Sequence, residues 1–281
     1  MPSLLSNRLA KRVLRPAFTL IEQRLERATH AFQSDLDALH HQMADLRRQS
    51  YGLSLLLGQA GRDGHRMPTA TQVDTLVHEV RVLAGERDEH VRRDVTVAYR
   101  HLVALEALGA GGLSGSVSDV CGRLAAVPLL TPPNGEVLEI GTGHGLFAAA
   151  LQRILRRDGV EARLTIVDPL DGPPTREETV RANLTLGGAP SSPGARLVRG
   201  GLDDAEVRDR VGDRRYGVIV VNGHGRGPGG APEPDLAQVR RLAAHGAVVV
   251  LAGDAAPTAA APTAGLTLLG RVADSAYCRA A

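Results

Sequence analysis

Tryptophan is absent from this 281-residue chain, and aromatic side chains of all kinds make up only 2% of it. Proteins that grip single-stranded nucleic acid stack bases on aromatic rings inside a basic groove. With so few rings and a formal net charge of only +2, nucleic acid is not the expected substrate. Cysteine is nearly missing as well. Cys121 and Cys278 stand far apart without ligand spacing to histidine, which excludes a disulfide scaffold and fits a reducing cytoplasm. His40, His41, His65, His78, His90 and His101 have no acidic partners at metal-ligand spacing, so no metal site is expected there. The first twenty positions hold no long apolar run, because Arg8, Lys11, Arg12 and Arg15 interrupt it, and no secretory leader is expected.

Glycine, by contrast, is plentiful where it carries chemistry. In Glu136-Val137-Leu138-Glu139-Ile140-Gly141-Thr142-Gly143-His144-Gly145-Leu146-Phe147, an apolar run ends in an acid and three alternating glycines. Val137, Leu138 and Ile140 suit a buried parallel strand. Glycines at 141, 143 and 145 permit positive φ and let backbone N–H groups approach a ligand with no Cβ in the way. Leu146, Phe147, Ala150, Leu151, Ile154 and Leu155 then fall at helical spacing, so a ligand would sit at that helix's N-terminus. A tight strand-to-helix turn with no ligand is the plainer alternative. A second apolar strand, Arg163 to Asp168, again ends in an acid, close to where a ribose-binding carboxylate belongs in nucleotide-binding sheets. Leu146 occupies the last position of the dinucleotide fingerprint G-x-G-x-x-G, which disfavours a nicotinamide-dependent oxidoreductase.

With this acidic residue and these alternating glycines, the chain resembles the class I S-adenosylmethionine-dependent methyltransferases from about Pro132 onward. The resemblance implies an α/β fold, a doubly wound seven-stranded Rossmann-like sheet, with S-adenosylmethionine as cofactor. It places Glu139, Gly141, Gly143 and Gly145 against the amino-acid part of the cofactor and Asp168 on the ribose. After the third strand, around Ala195 to Asp203, it assigns Asp203 to the adenine amino group, with Asp204 next. The helix expected over Thr175 to Leu186 corresponds to a covering helix of that family.

The fourth strand, Tyr216 to Val221, leads into Asn222-Gly223-His224-Gly225. Some small-molecule O-methyltransferases carry Asp-Gly-Asp-His here and bind a divalent metal. An amide and a histidine are poorer partners for a hard cation than carboxylates, so no metal is expected. His224 is the candidate general base, since its unperturbed pKa of about 6.5 allows proton uptake near neutrality; the alternative is a solvated loop residue. Further strands are expected over Gly246 to Asp254, Leu266 to Val272 and Ser275 to Arg279, with a helix over Pro234 to Ala244. Asp254 is a secondary candidate for orienting substrate or His224, or a simple turn residue.

Upstream the character changes. Phe18, Ile21, Leu25, Ala28, Phe32, Leu36, Leu39, Met43 and Leu46 recur in steps of three and four with polar residues between, as an amphipathic or coiled-coil helix requires. That stripe packs either on downstream helices or on a second subunit, making a homodimer through the N-terminal helix one expectation. The basic start reads as a solvated helical face rather than a membrane contact. A second helical stretch is expected over Thr71 to Leu108, then a helix over Ser116 to Ala126. These patterns divide the chain into a helical region, residues 1–112, and a cofactor domain, residues 113–281. The expected activity is methyl transfer to an oxygen of a small molecule, a sugar or specialised metabolite, by a cytoplasmic enzyme; the alternative is a scaffold that binds cofactor without turnover.

Overall fold

The computed structural model describes residues 24, 26–27, 29–30, 32–40, 42–43, 46, 69–85, 90–113, 115–170, 175–187, 195–222, 235–253 and 261–281. His224 and Asp254 lie outside the described residues. By its internal contacts the chain divides into Met1–Arg48 and Gln49–Ala281. In the first unit every described residue between 24 and 46 is helical (α1), and Phe32, Leu36, Leu39, Met43 and Leu46 are exposed.

The first described element of the second unit is α2 (Ala70–Ala84), which starts at a capping box between Thr69 and Gln72 and stops at Gly85 in the left-handed conformation. A separate helix, α3 (Val91–Leu108), follows. Together they replace the single stretch expected over 71–108, and the apolar spacing runs through both because each buries an apolar stripe: Leu76, Val77 and Val80 of α2, and Val91, Val95, Leu102 and Leu105 of α3. Both helices pack on α4 (Val117–Leu129), with α2 also meeting β6 and α3 meeting α5. Chain contacts place a division at Arg48/Gln49.

A seven-stranded sheet follows: β1 (Glu136–Ile140), β2 (Arg163–Asp168), β3 (Arg196–Arg199), β4 (Tyr216–Asn222), β5 (Ala243–Ala252), β6 (Leu266–Val272) and β7 (Ser275–Ala280). Their order is β3-β2-β1-β4-β5-β7-β6. Neighbouring strands from β3 through β5 run parallel, while β7 is antiparallel to both β5 and β6. Helices α5 (Leu146–Arg157), α6 (Thr175–Gly187), α7 (Ala205–Val211) and α8 (Leu236–Leu242) are the other α-helices among the described residues of this unit. Period-two alternation on β4 builds two cores: Val218 and Val220 join the layer containing α2 to α6, while Ile219 and Val221 join that of α7 and α8. Each such side chain contributes about 1.5–3 kcal/mol on burial.

The strand order reverses beside β1, where β2 lies on one side and β4 on the other. Ile140 pairs in register with both Val167 and Val221, so the carboxyl ends of β1, β2 and β4 finish together. Open α/β sheets bind ligands in the crevice at such a reversal.

Candidate functional site

The turn from β1 to α5 has the backbone its glycines predict: Gly141, Gly143 and Gly145 adopt φ of +77°, +60° and +79°. It is tied down at three points. Gly141 N–H donates to Val167 O at 2.8 Å, Gly145 N–H to Thr142 O at 3.1 Å, and Thr142 N–H to Asp168 Oδ2 at 2.8 Å. Among the described residues, the N–H groups of Gly143 and His144 have no acceptor. Those open donors lie just before the positive end of the α5 dipole, an arrangement suited to a polar or anionic group.

Beneath the turn is a buried polar chain. Glu139 is 1% exposed; its Oε2 accepts from Thr142 Oγ1 at 2.6 Å and its Oε1 from Asn222 Nδ2 at 2.9 Å. Burial pushes the Glu139 carboxyl up to about 7, opposed by the hydrogen bonds from Thr142 and Asn222 and by the Arg123 charge, and aided by the Asp168 charge. Asn222 Nδ2 also donates to Gly141 O at 2.5 Å, while Asn222 Oδ1 accepts from Arg123 Nη1 at 2.5 Å. A guanidinium has donors only, so the amide oxygen must face Arg123 and its NH2 must face Glu139 and Gly141. Arg123 is 2% exposed, pairs with Asp119 at 3.0 Å and lies 4.6 Å over the Phe147 ring. Asp119 in turn accepts from Ser275 Oγ at 2.6 Å.

Asp168 sits at the end of β2 and is fully enclosed. Besides Thr142 N–H, it accepts from Leu170 N–H at 2.7 Å and from Arg176 Nη2 at 3.2 Å. Asp203 lies exposed beyond β3, and Asp204 caps α7 through Glu206 N–H at 2.9 Å. The linker after α3 crosses to the turn through Asn183 of α6, which bonds both the N–H and the C=O of Ala110 and also His144 O. At Gly111 a Cβ would collide with the His144 ring, so the linker backbone lies directly on that side chain.

These groups enclose a narrow crevice lined by Gly112, Leu113, Arg123, Glu139, Thr142, His144, Leu146, Phe147 and Asn222. A roomier groove of about 300 Å³ between α7 and α8 is lined by Leu202, Arg208, Gly212, Arg215, Gln238, Arg241 and Leu242, none of them from the glycine turn. Position at the strand reversal and the polar chain favour the crevice as the site despite its size. Thus the structure brings Glu139, the three glycines and Asp168 together, with Asp203 in the turn between β3 and α7. Sequence reasoning missed Arg123, Asn183 and the 109–112 linker. The one readable signal was Asp119 and Arg123, spaced i,i+4 inside an otherwise apolar helix. Among the described residues, no group of three or more His, Cys, Asp or Glu side chains gathers as a metal site.

No family model matches the chain. A curated relative, the "Putative O-methyltransferase" of Mycobacterium sp. (strain JLS), is 29% identical over 181 residues, covering 62% of this chain and 74% of that protein. Among solved structures, the chain is similar to the O-methyltransferase TomG from Streptomyces achromogenes, determined in complex with SAM. The identity is 21%, the TM-score 0.36, and the match covers 59% of this chain and 66% of that one. The ribosomal protein L11 methylase from Lactobacillus delbrueckii subsp. bulgaricus is similar at 15% identity and a TM-score of 0.41, over 59% and 79% of the two chains. The seven-stranded Rossmann-like sheet that the sequence implied is present in the strand order and directions described above.

Proposed function

We propose that this chain, a Rossmann-like methyltransferase that uses S-adenosylmethionine, transfers the methyl group to an oxygen of a small molecule. The observation carrying this reading is the turn of three left-handed glycines at the strand reversal, directly after the buried carboxylate Glu139. When bound, the cofactor supplies an electrophilic methyl group on a sulfonium. The chain's own tasks are then to hold the donor, align the acceptor oxygen in line with the methyl–sulfur bond, and remove a proton.

The residues present fit that ligand. Glu139 and the open N–H groups of Gly143 and His144 meet its amino-acid end, Asp203 offers an exposed carboxylate for the adenine amino group, and His224 acts as general base. Asp168 contributes by holding Thr142; contact with ribose hydroxyls requires its pair with Arg176 to open. An oxygen acceptor is supported by the mycobacterial relative's name, and a small acceptor by the scarcity of aromatic and net basic charge. The apolar stripe of α1 supports a homodimer through the N-terminal helix, and cysteine scarcity supports a cytoplasmic setting. No described helix is long and apolar enough to cross a membrane.

A second reading, cofactor binding without turnover, is favoured by one observation: Asn222, where some small-molecule O-methyltransferases carry an acid, is engaged by Arg123, Glu139 and Gly141. Calorimetric titration with S-adenosylhomocysteine and with NADH tests the cofactor assignment; binding of NADH alone would overturn it. Methyl transfer to a panel of hydroxylated acceptors then separates the two readings. His224→Ala should leave binding intact and slow turnover by about 10²–10⁴-fold, the range of a general base.

A further inference from the structure

Resting on the cofactor assignment above, we infer that Arg123 is a positioning residue for the glycine turn: acting through Asn222, it fixes the Glu139 carboxylate where the amino-acid end of the cofactor meets it. Asp119 and Ser275 fix Arg123 in turn.

In this relay, Ser275 of β7 donates to Asp119, which pairs with Arg123 on the same helix α4; Arg123 donates to Asn222 of β4, and Asn222 donates to Glu139 of β1. Five side chains from four elements thus form one file of hydrogen bonds ending at the turn. Ser275, Asp119, Arg123 and Glu139 are all buried, and stacking on Phe147 fixes the plane of the guanidinium. Because the guanidinium only donates, it selects a single orientation of the Asn222 amide. That orientation directs both amide hydrogens at Glu139 Oε1 and Gly141 O, so a single amide holds the carboxylate and the first glycine of the turn together.

A plain strut would not need this chemistry. Burying an ion pair is costly, and apolar residues of similar volume often serve stability as well or better. What the relay supplies is a preference for the ionised form of Glu139, the form that attracts the ammonium of the cofactor's amino-acid end. The charged and titratable groups around Glu139 are Arg123 of α4, Asp168 of β2 and, lining the same crevice, His144 of the turn; Asp119 and Tyr277 flank Arg123. Of these, Arg123 and Asp168 act on Glu139 with opposite sign, and Arg123 has the larger effect.

The test is calorimetric titration of the full chain with S-adenosylhomocysteine from pH 6 to pH 9, alongside melting temperatures. In the wild type, affinity should fall as the pH drops through the titration of Glu139. In Arg123→Met the midpoint of that fall should move upward by about one pH unit, so that affinity drops about fivefold near neutrality, approaches about a tenfold loss toward pH 6 and recovers at the alkaline end. Arg123→Lys, which keeps the charge, should restore most of the wild-type midpoint. Should Arg123→Met fail to fold, Asn222→Ala cuts the file at its middle link and should move the midpoint in the same direction. A lowered melting temperature with an unmoved midpoint makes Arg123 a strut and overturns the inference. If the wild type does not bind S-adenosylhomocysteine, the proposed function fails and this inference fails with it; binding with an immobile midpoint sinks this inference alone.

Discussion

Asp168 and Glu139 grip one residue between them: Thr142 donates its backbone N–H to Asp168 Oδ2 at 2.8 Å and its hydroxyl to Glu139 Oε2 at 2.6 Å. Two carboxylates from adjacent parallel strands therefore set the position of the first bend of the glycine turn. The enclosure of Asp168 makes its structural part testable. Asp168→Asn keeps the shape but places an NH2 among donors, and losing a charged hydrogen-bond acceptor there should cost about 1.5–3 kcal/mol of stability. Cofactor affinity should fall with it. Urea unfolding and calorimetry on the same variant check this; lost affinity at unchanged stability would show that the carboxylate serves the ligand and not the turn.

The raised pKa of Glu139 fixes the direction of a pH effect on folding. Its ordinary value is 4.5 and its folded value about 7, so between them the folded state binds a proton that the unfolded state has released. Stability from this group is full below about 4.5, falls as the pH rises, and levels off above about 7. Glu139→Gln removes the titration, and its amide can still accept from Asn222 and donate to the Thr142 hydroxyl. Relative to the wild type, the variant should gain on the order of 3 kcal/mol between pH 5 and pH 8. Denaturant unfolding at both pH values gives the comparison, and parallel pH dependence in the two proteins would rule out Glu139 as the source.

Gly143 tests the turn itself. With φ at +60° it lies where L-residues are strained, and a branched side chain adds bulk next to the open N–H groups. Gly143→Val should therefore abolish S-adenosylhomocysteine binding while circular dichroism reports a folded protein. A folded variant with undiminished affinity would remove the turn from the site.

Much of the sheet was legible because its strands are short apolar runs. Arg163–Asp168 and Leu266–Val272 match the bounds read from sequence, Val137, Leu138 and Ile140 fall within β1 as expected, and the three glycines announced their positive φ. The polar chain beneath them was not legible. Arg123 and Asn222 are 99 positions apart, and only the packing of α4 against the ends of the strands brings them together. Periodicity marks which face of α4 is buried, but not what a buried arginine on that face will meet. The break at Gly85 was hidden because each flanking helix buries an apolar stripe of the same spacing. Asp168 was read as a ligand from its place at a strand end, and its full enclosure depends on Thr142, Leu170 and Arg176, whose positions come from tertiary structure.

Asn183 gives the last test, of the linker that lies against the turn. Its amide accepts from Ala110 N–H at 2.9 Å and donates to Ala110 O at 2.7 Å and to His144 O at 2.8 Å, tying α6, the linker and the turn together. Asn183→Ala strands these three backbone groups and should cost about 1–3 kcal/mol. Asn183→Asp should cost more, because a carboxylate cannot donate and would face two carbonyl oxygens. Hydrogen exchange should report loss of protection at Ala110 in both variants, with the unfolding free energies ranked wild type, Ala, Asp. If Asp proves as stable as the wild type, the amide's two donated bonds are not what holds the linker to the turn.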